Sequence, residues 1–241
     1  MKRRLVVIPT YNEAGNIKSL IDQLFATIPE CEIMVVDDGS PDGTALICKD
    51  LSQENKRLHL IERHTKSGIG SAYRMAFTWA LEQDFDEVIE MDADGSHQVS
   101  DLLRMLDTKS TTPDVDLVIG SRWIRGGETV NWSSSRELLS RFANRYVRIM
   151  VGMKIHDATA GFRIYSSRIL RKIDLGHIRS EGYSFQIEMT RAVHNSGGTM
   201  MEVPITFQER KNGVSKMSKK IVGEAIFLVT AWGVKRVLLV K

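Results

Sequence analysis

Two carboxylates one position apart, Asp92 and Asp94, stand in the run Val88-Ile89-Glu90-Met91-Asp92-Ala93-Asp94-Gly95. The apolar residues before them read as a short strand, so the pair falls where that strand ends. Positions i and i+2 of a strand point to one side. Two oxygen anions converging there suit a hard divalent cation that also holds phosphate oxygens. Taken alone, the pair fits a solvated acidic turn equally well. A second acidic turn favours the chemical reading: Asp37-Asp38-Gly39-Ser40-Pro41-Asp42-Gly43-Thr44 also follows an apolar run.

Further groups suited to a phosphorylated ligand lie at similar places. In Pro9-Thr10-Tyr11-Asn12-Glu13, Tyr11 offers a face for base stacking and Glu13 an acceptor for base or ribose hydrogens. The plain alternative is a turn in which Asn12 and Glu13 start a helix. Asp38 is placed to take ribose hydroxyls or base N–H groups, while Asp42 and Thr44 hold the turn and cap the next helix. Lys66-Ser67-Gly68-Ile69-Gly70 resembles a phosphate cradle, or is a simple tight turn; it has neither Walker nor G-x-G-x-x-G spacing. Arg122, Arg136, Arg210 and Lys216 fall on expected loops. Metal plus Arg is how proteins hold a diphosphate, and bidentate Arg is how they hold a terminal phosphate. His97 is read as a structural or supporting residue.

The elements that must position these groups alternate. Apolar runs at 5–8, 33–36, 58–61, 88–91 and 117–119 predict strands. Helical stripes fall between them, as at Ile17, Leu20, Ile21 and Leu24. Such alternation predicts an α/β fold with a mostly parallel, Rossmann-like sheet and flanking helices. Ligands bind such sheets beyond the carboxyl ends of the strands, where Pro9, Asp37, Asp92 and Gly120 all sit. The second half is less regular. Residues 138–150 and 183–194 predict helices, and 200–207, with Pro204 inside, predicts an edge strand.

Length and composition narrow the class. The chain has 241 residues, 42% hydrophobic and 26% charged, with a net charge of +3. These values suit a soluble domain and do not suggest a nucleic-acid binder. Cys31 and Cys48 have no metal-ligand or disulfide spacing and are expected to stay reduced. The first apolar run stops at Pro9, too short for a signal peptide. No run of 18 residues is free of charge, so no membrane span is expected. Residues 225–234, between Glu224 and Lys235, predict a buried helix or one lying on a bilayer surface.

The ordered set of motifs resembles a known family. Pro-Thr-Tyr-Asn-Glu, Asp-Asp-Gly-Ser-Pro-Asp-Gly-Thr, Met-Asp-Ala-Asp, Gly-Ser-Arg, a Trp-to-Arg loop, Gly-Phe-Arg, Glu-Gly-Tyr-Ser-Phe-Gln-Ile-Glu and Phe-Gln-Glu-Arg…Ser-Lys follow one another. The series is similar to the dolichyl-phosphate (polyprenol-phosphate) mannosyltransferases, a branch of the inverting GT-A-fold glycosyltransferases. The resemblance implies a GT-A catalytic domain over 1–220 and a C-terminal amphipathic helix over 221–241. It implies nucleotide-sugar contacts at Pro9, Tyr11, Glu13, Val36, Asp38, Asp92, Ala93, Asp94, Arg210 and Lys216, and metal at Asp92 and Asp94. Arg122 and Arg136 would hold the acceptor phosphate, and Asp94, Arg122 and Arg136 would be the catalytic set. Implied partners are GDP-mannose, a polyprenyl phosphate, Mg²⁺ or Mn²⁺, and a membrane surface or separate membrane-anchoring subunit. The implied place is the cytoplasm, peripheral at the cytoplasmic face of the membrane. One departure stands out: Ser96 occupies a position where some members carry a metal-ligating Gln. Competing readings are a haloacid-dehalogenase-type phosphatase, a non-catalytic binding subunit, and the same transferase with another donor such as UDP-glucose.

Overall fold

The computed structural model of the chain describes residues 2–210 and 219–239. The five apolar runs form β1 (Arg4–Thr10), β2 (Glu32–Asp37), β3 (Leu58–Glu62), β4 (Glu87–Glu90) and β5 (Leu117–Ser121). Between them lie α1 (Ile17–Thr27), α2 (Thr44–Glu54), α3 (Ile69–Glu82) and α4 (Val99–Thr111). Helix α1 buries Ile17, Leu20, Ile21 and Leu24, the i, i+3, i+4, i+7 stripe of an amphipathic helix. Gly43 precedes α2 at φ 90°, a conformation that strains any residue with a Cβ.

The second half adds β6 (Glu128–Val130), α5 (Ser134–Val151), β7 (Arg163–Ser166), the short α6 (Ser167–Leu170), α7 (Gly182–Asn195), β8 (Met200–Pro204), β9 (Thr206–Gln208) and α8 (Lys219–Leu239). Seven of the described strands form one sheet in the order β3-β2-β1-β4-β7-β5-β8, while β6 and β9 pair separately. The sheet is parallel except at β7, which runs antiparallel to both β4 and β5. Helices cover both faces. Leu5 and Val7 of β1 pack with Ala72, Ala76 and Phe77 of α3 and Val193 of α7. Val6 and Ile8 pack with Leu20 and Leu24 of α1 and Leu102 of α4. A strand buried on both faces reads as a continuous apolar run, which is why β1 was legible.

The expected edge strand at 200–207 divides. Pro204 closes β8 opposite Ser121. It brings no N–H to continue a ladder, and β9 then pairs with β6. The division carries the chain beyond β9 across the end of β4. Helix α8 packs on α5 through Tyr146 and Thr230, whose hydroxyls lie 2.7 Å apart. Val229 is buried, whereas Ile226, Phe227, Val234 and Leu238 are exposed. In place of the expected amphipathic pattern, α8 has apolar side chains on both faces.

Candidate active site

The carboxyl ends of β1 and β2 are bound into one rim. Thr10 pairs with Asp37 in the parallel register, and its hydroxyl donates to Asp37 Oδ2 at 2.8 Å. Asp37 also accepts from the Ser40 amide at 2.8 Å. The Asn12 amide donates to Ser40 Oγ, the Glu13 amide to Thr44 Oγ1, and the Ala14 amide to Asp42 Oδ2. Burial alone would raise the Asp42 pKa, but its bonds from Thr44 and Ala14 outweigh that and hold it below the ordinary range.

Within this rim the expected nucleotide contacts take specific places. Lys66 Nζ lies 4.1 Å over the Tyr11 ring, a cation–π contact. Glu13 Oε2 accepts from the Asn16 side chain at 3.0 Å. Pro9 and Val36 are register partners, but the Val36 side chain is fully buried in the core. A nucleotide contact at Val36 would therefore be made by its backbone. Asp38 is buried, ion-paired with Arg63, and accepts from the Gly68 amide at 3.3 Å. Its carboxylate is thus held in place by Arg63 and the loop before α3.

The acidic pair after β4 is braced by His97. The Asp92 amide donates to His97 Nδ1 at 3.0 Å, so the ring carries its proton on Nε2, 3.8 Å from Asp92 Oδ2. Burial pushes the His97 pKa down to about 4; the ring stacks on Phe162 at 4.6 Å. A neutral His97 positions Asp92, and the supporting role expected for it fits this geometry. Ala93 is buried. Asp94 Oδ1 accepts from the Ser96 amide at 3.0 Å, and Arg210 supplies a countercharge 3.4 Å from Oδ2. Lys216 lies outside the described residues.

Among the described residues no three His, Cys, Asp or Glu side chains converge as a metal cage. Two carboxylates at a rim are nonetheless the hard-oxygen donor set that Mg²⁺ or Mn²⁺ accepts, the rest of the shell coming from water and phosphate oxygens. Asp92 and Asp94 fit such an ion and would be its protein ligands.

Arg122 and Arg136 flank one indole ring. Arg122 Cζ lies 5.4 Å from the Trp132 ring centre and Arg136 Cζ lies 3.9 Å from it. Arg122 is buried, with Nε and Nη2 each 2.7 Å from the two oxygens of Asp157. Trp123 and Phe207 also face its guanidinium. Burial opposes the charge, but Asp157 outweighs it and raises the Arg122 pKa. The edge of the guanidinium formed by Nε and Nη2 is therefore occupied by Asp157. Arg136, in the first turn of α5, is partly exposed and pairs with Glu209 Oε1 at 2.7 Å.

Three features escaped the sequence reading. Asp157 lies 35 residues from Arg122; the only signal was a polar loop before Gly-Phe-Arg. Glu90 is wholly buried, 4.0 Å from Arg163, and burial raises its pKa to about 8. Glu181 fills the suspected cradle, its Oε2 accepting from the Gly70 amide at 2.7 Å and the Ser71 amide at 3.3 Å. The loop before α3 is thus an anion site whose anion is a side chain of the same protein.

Comparison with known proteins identifies relatives of this chain. The chain matches glycosyl transferase family 2 over residues 5–174. It is 45% identical to the polyprenol monophosphomannose synthase of Mycolicibacterium smegmatis, covering 97% of this chain and 88% of that one. It is 47% identical to the undecaprenyl-phosphate mannosyltransferase of Micrococcus luteus, covering 96% and 94%. The glucosyl-3-phosphoglycerate synthase of Mycobacterium tuberculosis, solved with Mn²⁺, UDP-glucose and phosphoglyceric acid, superposes with a TM-score of 0.70. That match is 18% identical and covers 98% of this chain and 79% of that one, so it speaks for the GT-A fold.

Proposed function

The chain belongs to glycosyl transferase family 2, alongside the polyprenyl-phosphate mannosyltransferases, and from that membership we propose that it transfers mannose from GDP-mannose to a polyprenyl phosphate, with inversion at the anomeric carbon. Membership removes the phosphatase alternative. The observation that carries the proposal is the meeting of Arg210 and Asp94 on the rim that holds Asp92. A diphosphate needs both an acidic metal site and nearby cations, and here they share one place.

The chemistry needs no proton-taking base. The attacking oxygen belongs to a phosphate monoester whose second pKa is about 6, so it is already anionic near neutral pH. His97, neutral and bonded at Nδ1 to the Asp92 amide, holds the acidic turn in place. A divalent ion bound by Asp92 and Asp94 would neutralise charge on the departing diphosphate. Arg210, and Lys216 beside it in sequence, would stabilise the same charge. Arg136 is the cation placed to meet the acceptor phosphate, with Trp132 beneath it. Arg122 Cζ lies 5.4 Å from the same ring.

The acceptor's lipid favours a membrane-surface enzyme. No described helix is long and apolar enough to cross a bilayer. However, Leu138, Leu139, Phe142 and Ile149 of α5 and Ile226 and Phe227 of α8 are exposed. Helix α5 begins beside Arg136, so an apolar face adjoins the proposed phosphate position. We place that face on the cytoplasmic leaflet, directly or through a membrane subunit.

The test incubates purified protein with a short polyprenyl phosphate, Mg²⁺ or Mn²⁺, and labelled GDP-mannose or UDP-glucose, with EDTA as control. Metal-dependent label in the organic phase from GDP-mannose is expected. Label from UDP-glucose alone would replace the donor. No lipid product from folded protein would favour the binding-subunit reading.

A further inference from the structure

Gly161 stands just before Phe162 and Arg163, at the entry to β7. Its φ is not among the positive values, so the backbone does not demand glycine. A Cβ placed there would meet Asp92 Oδ2 at 3.7 Å, Asp92 Oδ1 at 3.9 Å and Gln186 Nε2 at 3.8 Å. Those are ordinary contact distances. Alanine fits sterically; what glycine supplies is room between a carboxylate and an amide.

Both walls of that space are firmly held. Arg163 donates to the Ala160 carbonyl at 2.6 Å and to the Gln186 carbonyl at 3.0 Å, fixing the two backbones at once. The Thr190 hydroxyl donates to the same Gln186 carbonyl. Asp92 is fixed by His97. The Gln186 side chain is 4% exposed, yet its Oε1 has no hydrogen-bond partner. Oε1 is enclosed, so Nε2 is the amide atom that faces the space beside Gly161.

We infer that Gln186 and Asp92, facing one another across Gly161, bind hydroxyl groups of the donor's hexose and so help select the sugar. The inference rests on the nucleotide-sugar transfer proposed above. A sugar hydroxyl both donates and accepts, and this space offers a carboxylate acceptor and an N–H₂ donor. An isoprene is disfavoured because it would leave the buried amide without partners.

The experiment compares wild type, Gly161→Ala and Gln186→Met by titration calorimetry with Mn²⁺, using GDP and GDP-mannose in turn, and records each melting temperature. GDP affinity is expected to stay within about twofold, while GDP-mannose affinity falls about tenfold in each variant, the effect of losing one hydrogen bond. Folded variants with unchanged GDP-mannose affinity would overturn the inference. So would equal weakening of GDP and GDP-mannose, which places Gln186 at the nucleotide. Wild type that binds UDP-glucose and not GDP-mannose would defeat the donor reading alone. The same comparison with UDP and UDP-glucose then decides the hexose inference separately.

Discussion

The turns after β1 and β2 and the arginine cluster around Trp132 lie on one rim but are built differently. The turns are stitched by short links between two neighbouring segments, such as Glu13 to Thr44 and Ala14 to Asp42. On their open side they carry the half-buried Tyr11 and Glu13 and the exposed Asp42. The arginine cluster draws on residues far apart in the chain: Arg122 with Asp157, Arg136 with Glu209, and Trp132 between the cations. In the first region the residues named by motif are those at the rim. In the second, the motif residue Arg122 is largely spent on its buried partner, and the orientation of the site depends on that pair.

The sharpest way to break this contrast is to remove Asp157, which is fully buried. Taking one partner from a buried ion pair strands the other charge and costs about 3–5 kcal/mol. At about 2–4 °C per kcal/mol for a chain of this size, Asp157→Ala should melt on the order of 10 °C lower in scanning calorimetry. An unchanged melting temperature would mean that the three rings alone hold Arg122, leaving its fork available for a phosphate.

Asp94→Ala tests the opposite property on the acidic turn. Its carboxylate makes one amide bond and faces Arg210, so folding should change little. Turnover should fall by about 10²–10³, the usual loss when one electrostatic stabiliser is removed. Near-normal rates in the organic-phase assay would show that the acidic turn is not the reaction site.

Glu90, at the end of β4, affects the pH dependence of stability. Its pKa rises from an ordinary 4.5 to about 8 in the folded protein. The folded state therefore binds the proton more tightly, and stability is lost as pH climbs from about 4.5 through 8. His97 acts oppositely: depressed from 6.5 to about 4, it favours the fold above 6.5 and loses that contribution as pH falls towards 4. Glu90→Gln should remove the alkaline loss and leave the acid loss in place. Denaturant melts from pH 5 to 8 that decline as steeply in the variant as in wild type would assign the loss to another group.

What the sequence disclosed follows the range of the interactions involved. Strands β1 to β5 and their helices announced themselves because each is a local apolar pattern facing a two-sided core. The acidic pair was visible because it follows directly on the apolar run that forms β4, in the turn where that strand ends. A motif says that Val36 is present but not that its side chain turns into the core. Asp157 and Glu209 were missed because nothing near Arg122 or Arg136 in the chain marks their partners. The antiparallel placement of β7 is likewise a decision of the whole sheet.

The loop before α3 shows the same limit on a smaller scale. Its glycines suggested an anion cradle, and an anion is there, but it is Glu181, 111 residues from Gly70. A Cβ on Gly68 would lie 2.3 Å from Glu181 Oε2, and one on Gly70 would lie 2.5 Å from the Ser180 carbonyl. These glycines therefore admit the 180–181 segment. Glu181→Gln keeps the shape and removes the charge at the helix N-terminus, a contact worth about 0.3–1 kcal/mol. The melting temperature should drop by about 1–4 °C with nucleotide affinity unchanged. If affinity for GDP rose while stability held, the loop would be a ligand cradle that Glu181 guards, and the local reading of its glycines would be restored.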